Sequence, residues 1–128
     1  MSTRDKLFVA SRDSQQSLSD VAKEIFTLLD IVESEERLSS NYPPDEHYFA
    51  GYAKNIIVTV YDADDDRKPE YRFHMSLTEP TYRKGSMTIV SDPEVIAMTL
   101  ANAGFKVFIP DGQWYKIDWD GRGREYAV

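Results

Sequence analysis

Two runs of alternating side chains near the middle of the chain limit its fold more than any other feature. In the segment Tyr48 to Asp62, Ile56, Val58 and Val60 fall on one side, and Ile57, Thr59 and Tyr61 on the other. In EYRFHMSLTE, Tyr71, Phe73, Met75 and Leu77 alternate with Arg72, His74 and Ser76. A period of two is the signature of a strand with two distinct faces. The runs flank VYDADDDRKPEYRF, which is rich in turn formers, so they are expected to pair as an antiparallel hairpin. On this reading His74 sits on the polar face.

Around that hairpin the pattern changes period. KLFVASR reads as a first strand. DSQQSLSDVAKEIFTLLDIV then places Leu18, Val21, Ala22, Ile25, Leu28, Leu29 and Val32 at helical spacing, with Ser17 or Ser19 as N-cap. ESEERLSSNYPPDEH reads as an edge strand and loop, and YFAGYAKN as a further short strand or a bend near Gly51 to Asn55. MTIV reads as a brief strand. SDPEVIAMTLANAG is a second helix, capped by Ser91 or Asp92, with Pro93 in its first turn and Gly104 at its stop. FKVFI and QWYKIDW are two strands around PDG. The expected fold is a single α+β domain over 1–128, with 121–128 as a loose tail. Its mainly antiparallel sheet has about five or six strands and both helices on one face, a ferredoxin-like split βαβ arrangement being the first specific form.

At 128 residues the chain suits one core, and its 41% hydrophobic and 12% aromatic content is that of a globular protein. With no cysteine it has neither disulfides nor thiolate sites. Its opening lacks the form of a signal peptide, and no apolar run approaches the roughly 20 residues that span a bilayer. A cytoplasmic bacterial protein is the expectation. The net charge is −7, and it is concentrated: Met1 to Asp66 carries 6 basic and 14 acidic residues. Such a half repels phosphate backbones and anionic lipid, so neither nucleic acid nor membrane is an expected partner; it favours a cationic one.

The acidic stretch departs from a calcium-binding loop. Asp62, Asp64 and Asp66 match positions 1, 3 and 5 of an EF-hand loop, but Arg67 stands where its glycine belongs and Phe73 where its bidentate glutamate belongs. No metal or cofactor is expected. His47 and His74 lie in no zinc-binding spacing. Asp118 and Asp120 fit a turn before Gly121 better than an acid–base pair, and GRGR is too short to define an anion site. No nucleophile elbow, P-loop or dinucleotide fingerprint is present. An enzyme is not expected; were it one, His74, Asp118 and Asp120 would be the first residues to test.

What remains is a crowd of tyrosines between two acidic groups. Tyr42, Tyr48, Phe49 and Tyr52 lie between Glu33, Glu35, Glu36 on one side and Asp62, Asp64, Asp65, Asp66 on the other. Tyrosine joins a large apolar ring to a polar tip and suits protein interfaces. Two readings stand: a recognition surface for basic side chains, or rings packed under a loop with their hydroxyls outward.

The layout LFVASRD, SLSDVAKEIFTLLDI, then ERLSSNYPPDEHYFAGY resembles small bacterial immunity proteins that accompany polymorphic or contact-dependent toxins. The resemblance covers roughly the first half. It implies a binder that blocks a cognate, basic toxin domain such as a nuclease, and it brings no catalytic residues. The alternative is a non-catalytic regulatory or assembly module, in one form a homodimer through a sheet edge.

Overall fold

In a computed structural model of the chain, which describes residues 5–13, 15–38, 47–63, 68–80, 85, 87–110 and 121–127, the first strand occupies an interior position in a seven-stranded sheet. The elements run β1 (Asp5–Ala10), α1 (Leu18–Leu28), β2 (Glu33–Leu38), β3 (His47–Tyr52), β4 (Ile57–Asp62), β5 (Phe73–Thr78), α2 (Pro93–Asn102), β6 (Lys106–Pro110) and β7 (Gly123–Tyr126). The strand order is β2-β3-β4-β5-β1-β6-β7, and every neighbouring pair is antiparallel. The fold is α+β, as expected, with more strands than the sequence suggested.

The topology contains a split βαβ unit. β5 and β6 both run antiparallel to β1, so they are parallel to each other, joined through α2 with β1 between them. β1 leads through α1 to the far edge at β2. The meander β2-β3-β4-β5 then brings the chain back beside β1. The expected hairpin is β4-β5, in register from Ile57↔Thr78 to Asp62↔Phe73.

Both helices pack on one face of the sheet. α1 buries Val21, Ala22, Ile25 and Phe26; α2 buries Ile96, Ala97, Leu100 and Ala101. Under them lie Leu7, Val9, Val58, Val60, Phe73, Met75, Leu77 and Val107. Gly51 lets α1 approach β3 closely: a Cβ there would stand 2.8 Å from the Phe26 ring. Among the described residues no helix is long and apolar enough to cross a membrane.

The opposite face differs from the expectation of a wet surface. Alternation places His74 there, but it is buried, 1% exposed. It stacks on Phe8 at 4.4 Å between ring centroids and meets Tyr61 edge-on at 5.8 Å. The polar-surface reading of His74 is therefore corrected: in the middle of a wide sheet, polarity at alternate positions does not imply solvent.

The tail is also corrected. Gly123–Tyr126 forms β7 against β6, from Val107↔Tyr126 to Pro110↔Gly123. Tyr71 donates a hydrogen bond to Glu125, and Arg124 pairs with Glu94 of α2. The backbone of Gly123 passes so close to Phe108 and the Ile109 carbonyl that a Cβ would clash. MTIV forms no strand where it is described; residues 87–90 run along the β3–β4 turn instead, where the Asn55 side chain bonds both the Ile89 carbonyl (2.8 Å) and its N–H (3.1 Å). The expected strand QWYKIDW, with Trp114, Asp118, Trp119 and Asp120, lies outside the described residues.

The helix caps explain where each helix begins and ends. Ser17 accepts from the Asp20 N–H, and the Asp20 carboxylate accepts from the Ser17 N–H, a reciprocal capping box. Asp92 accepts from the N–H groups of Glu94 and Val95, with Pro93 at the first helical position. Both helices stop in the same motif. At the end of α2, Gly104 (φ 105°) bonds back to Ala101 and Phe105 to Leu100. At the end of α1 the equivalent bonds run from Asp30 to Thr27 and from Ile31 to Phe26. Here the left-handed position is held by Asp30 (φ 61°), the one non-glycine residue with positive φ among those described. A side chain in that conformation costs about 1 kcal/mol, and the carboxylate also faces the negative end of the helix dipole. Asp30→Gly is expected to raise stability by about 0.5–1 kcal/mol in urea unfolding, whereas Gly104→Asp lowers it.

Candidate functional site

Register decides which of the acidic and phenolic side chains share a surface. β2 is an edge strand of the described sheet, paired with β3 from Glu33↔Tyr52 to Leu38↔His47. Period two puts Glu33, Glu35 and Arg37 on the face away from the helices, beside Tyr48 and Tyr52 of β3. Glu36 falls on the helix-side face, where its carboxylate lies 3.6 Å from His47 Nδ1. Asp62, two strands in from β2, also faces the helix side, opposite Phe73. Tyr42, Asp64, Asp65 and Asp66 lie outside the described residues. The structure thus brings together Glu33, Glu35, Tyr48 and Tyr52, and separates Glu36 and Asp62 from them.

The hydrogen bonds within this group are specific. Tyr52 Oη donates to Glu35 Oε1, and Arg37 Nη1 reaches the same oxygen at 2.9 Å. The Glu35 charge is therefore shared with an internal cation. Glu33, one pleat further along the strand, is half-buried, and Glu35 is exposed. Tyr48 and Tyr52 are half-buried on the sheet face away from the helices.

Tyr48 also begins a row that crosses the whole sheet. The pairings Arg37↔Tyr48, Tyr48↔Tyr61, Tyr61↔His74, His74↔Phe8, Phe8↔Phe108 and Phe108↔Glu125 form one line through seven strands. Lys6 Nζ stands 5.1 Å from the centre of the Tyr61 ring, and Lys68 Nζ 4.5 Å from that of Phe108. Tyr48 is thus the outer aromatic member of this row, while Tyr52 lies beside it, opposite Glu33 and Ile57. Cross-strand neighbours fix where each ring lies.

On the helix-bearing side a cleft of about 300 Å³ opens between the end of α1, residues 87–90 and α2. Asp30 lines it together with Leu28, Leu29, Met87, Val90 and Thr99. Sequence reasoning passed over Asp30. The available signal was an aspartate directly after the apolar TLL of a helix end, where glycine or asparagine is usual.

No protein-family model, curated protein or solved structure matches the chain.

Among the described residues Tyr52 and Tyr71 have raised pKa values. For Tyr52 burial is the main cause and the hydrogen bond to Glu35 the second. For Tyr71 burial again leads, followed by the bond to Glu125. A raised phenol pKa means that the folded chain holds these protons more tightly than the unfolded chain. The resulting stabilisation is complete below the ordinary tyrosine pKa and is lost as pH rises through the raised values. The unfolding midpoint is expected to fall above about pH 10, with the fall shallower in Tyr71→Phe than in the parent. Urea titrations over an alkaline pH series measure this.

Proposed function

We propose that this protein neutralises a cognate bacterial toxin domain in the cytoplasm by binding it one to one, as the layout of its first half implies. The observation that carries the reading is the shared, outward position of Glu33, Glu35, Tyr48 and Tyr52 at the β2–β3 edge. A basic toxin surface, such as one shaped to hold a phosphate backbone, complements this edge and the −7 charge behind it. Opposite potentials raise the association rate, and desolvated phenolic rings slow release. Neutralisation then follows from occlusion: the toxin's own substrate-binding surface is covered, and no chemistry by this chain is needed.

The alternative is a homodimer through the sheet edge. Antiparallel pairing of β2 with a second copy centred on Glu35 sets Glu35 against itself but Glu33 against Arg37 twice, so charge favours neither reading. Sedimentation distinguishes the two readings, because the neutralisation reading expects a salt-independent monomer.

The partner is sought as the product of the neighbouring reading frame, tested by protection of cells that express it. With that protein in hand, Glu33→Lys is expected to weaken capture about tenfold or more at low ionic strength and much less at high. Tyr52→Ala is expected to weaken it at both, through faster dissociation. Calorimetry at two salt concentrations measures both effects; unchanged affinity in both variants removes this face from the interface.

A further inference from the structure

The cleft beside α2 has the chemistry of a receptor for one long cationic side chain. Its lining is mixed: Leu28, Leu29, Met87 and Val90 supply apolar surface, Thr88 and Thr99 hydroxyl groups, and the exposed Asp30 the acidic group. At about 300 Å³ it lies at the small end of ligand sites and suits a single side chain, not a cofactor. One wall is fixed: the Asn55 amide holds Ile89 through two hydrogen bonds, and the Lys54 N–H holds the Met87 carbonyl at 2.8 Å.

Three observations point to a cation. α1 ends here, and its last turn contains no basic residue to meet the partial negative charge of its terminal carbonyls. Asp30 adds a full negative charge at the same place, and among the described residues its side chain takes part in no hydrogen bond or ion pair. It also occupies a left-handed position that glycine fills at the equivalent end of α2. A residue placed where both backbone and dipole disfavour it points to a use for its carboxylate. Around the cleft, Met87 and Val90 are 48% and 55% exposed, and the neighbouring helix α2 leaves Val95 and Met98 open. Such apolar surface can exclude water around an inserted group.

We propose that this cleft receives a lysine or arginine side chain from the protein partner, its aliphatic stem among Leu28, Leu29, Met87 and Val90 and its charged head at Asp30. The inference rests on the toxin-binding reading for the partner's identity and gives that partner a second anchor, on the face opposite Glu33 and Tyr52. The division into stem and head matches a cleft that offers apolar side chains beside one carboxylate.

The test uses n-butylguanidinium as the probe and the full isotope-labelled chain. The expected result is saturable amide shifts at Leu29, Asp30, Ile89 and Val90 at millimolar probe, weakened about tenfold by Asp30→Asn and by high salt. Asparagine tolerates the left-handed position, so the variant keeps its fold, which the remaining amide shifts verify. Absence of shifts at these amides overturns the proposal. So does equal binding by Asp30→Asn, or equal binding of n-butanol, which would make the cleft a plain apolar pocket. The titration contains no toxin. A silent cleft removes this inference alone, while failed toxin capture with saturable probe binding removes only the neutralisation reading.

Discussion

β1 is the strand on which the other elements depend. Leu7, Phe8 and Val9 are all fully buried, so this short run is covered on both faces of the sheet. Leu7 and Val9 join the core beneath the helices, while Phe8 centres the opposite cluster with Tyr71 and Phe108. Each such side chain contributes roughly 1.5–3 kcal/mol by leaving water. The same strand fixes geometry. Phe8 is paired with His74 on one side and Phe108 on the other, so one residue sets the register of two halves of the sheet. A slip of one residue would send Phe8 into the helix-side core and Leu7 out of it.

This central burial explains which parts of the fold were legible in the sequence. Periodicity identified α1, α2 and the β4–β5 hairpin because each has one apolar and one polar face, and Asp92, Pro93 and Gly104 marked the ends of α2. His74 was misread for a related reason. Alternation reports which residues share a face, but it carries no information on whether that face is wet, and here His74 stacks on Phe8. β7 was missed because GREY lacks a strand pattern; it is held by pairing with β6 and by the contacts of Arg124 and Glu125 with α2 and Tyr71. These are tertiary effects with no local signature.

The candidate surface was legible as a composition and not as an arrangement. Glu33, Glu35 and Glu36 are close neighbours in sequence, yet a strand sends Glu36 to the opposite side from the other two. The sequence likewise gave no hint that Arg37 would share the Glu35 oxygen with Tyr52. Charged residues along an edge strand also hinder pairing with stray strands. The two roles are compatible, since charges that hinder stray strand pairing can still meet a surface of opposite sign. Asp30 shows the same gap between identity and placement: its significance lies in a backbone angle and in the cleft it borders.

The position of β1 has a consequence for how the molecule is made. Its two flanking strands are encoded far downstream, at residues 73–78 and 106–110. During synthesis this strand therefore emerges before both of its neighbours and must wait for them. Until they leave the ribosome, Leu7, Phe8 and Val9 have only solvent, chaperones or other nascent chains to meet. A strand buried on both faces in the finished sheet is thus, in the newborn polypeptide, an apolar run open to premature association.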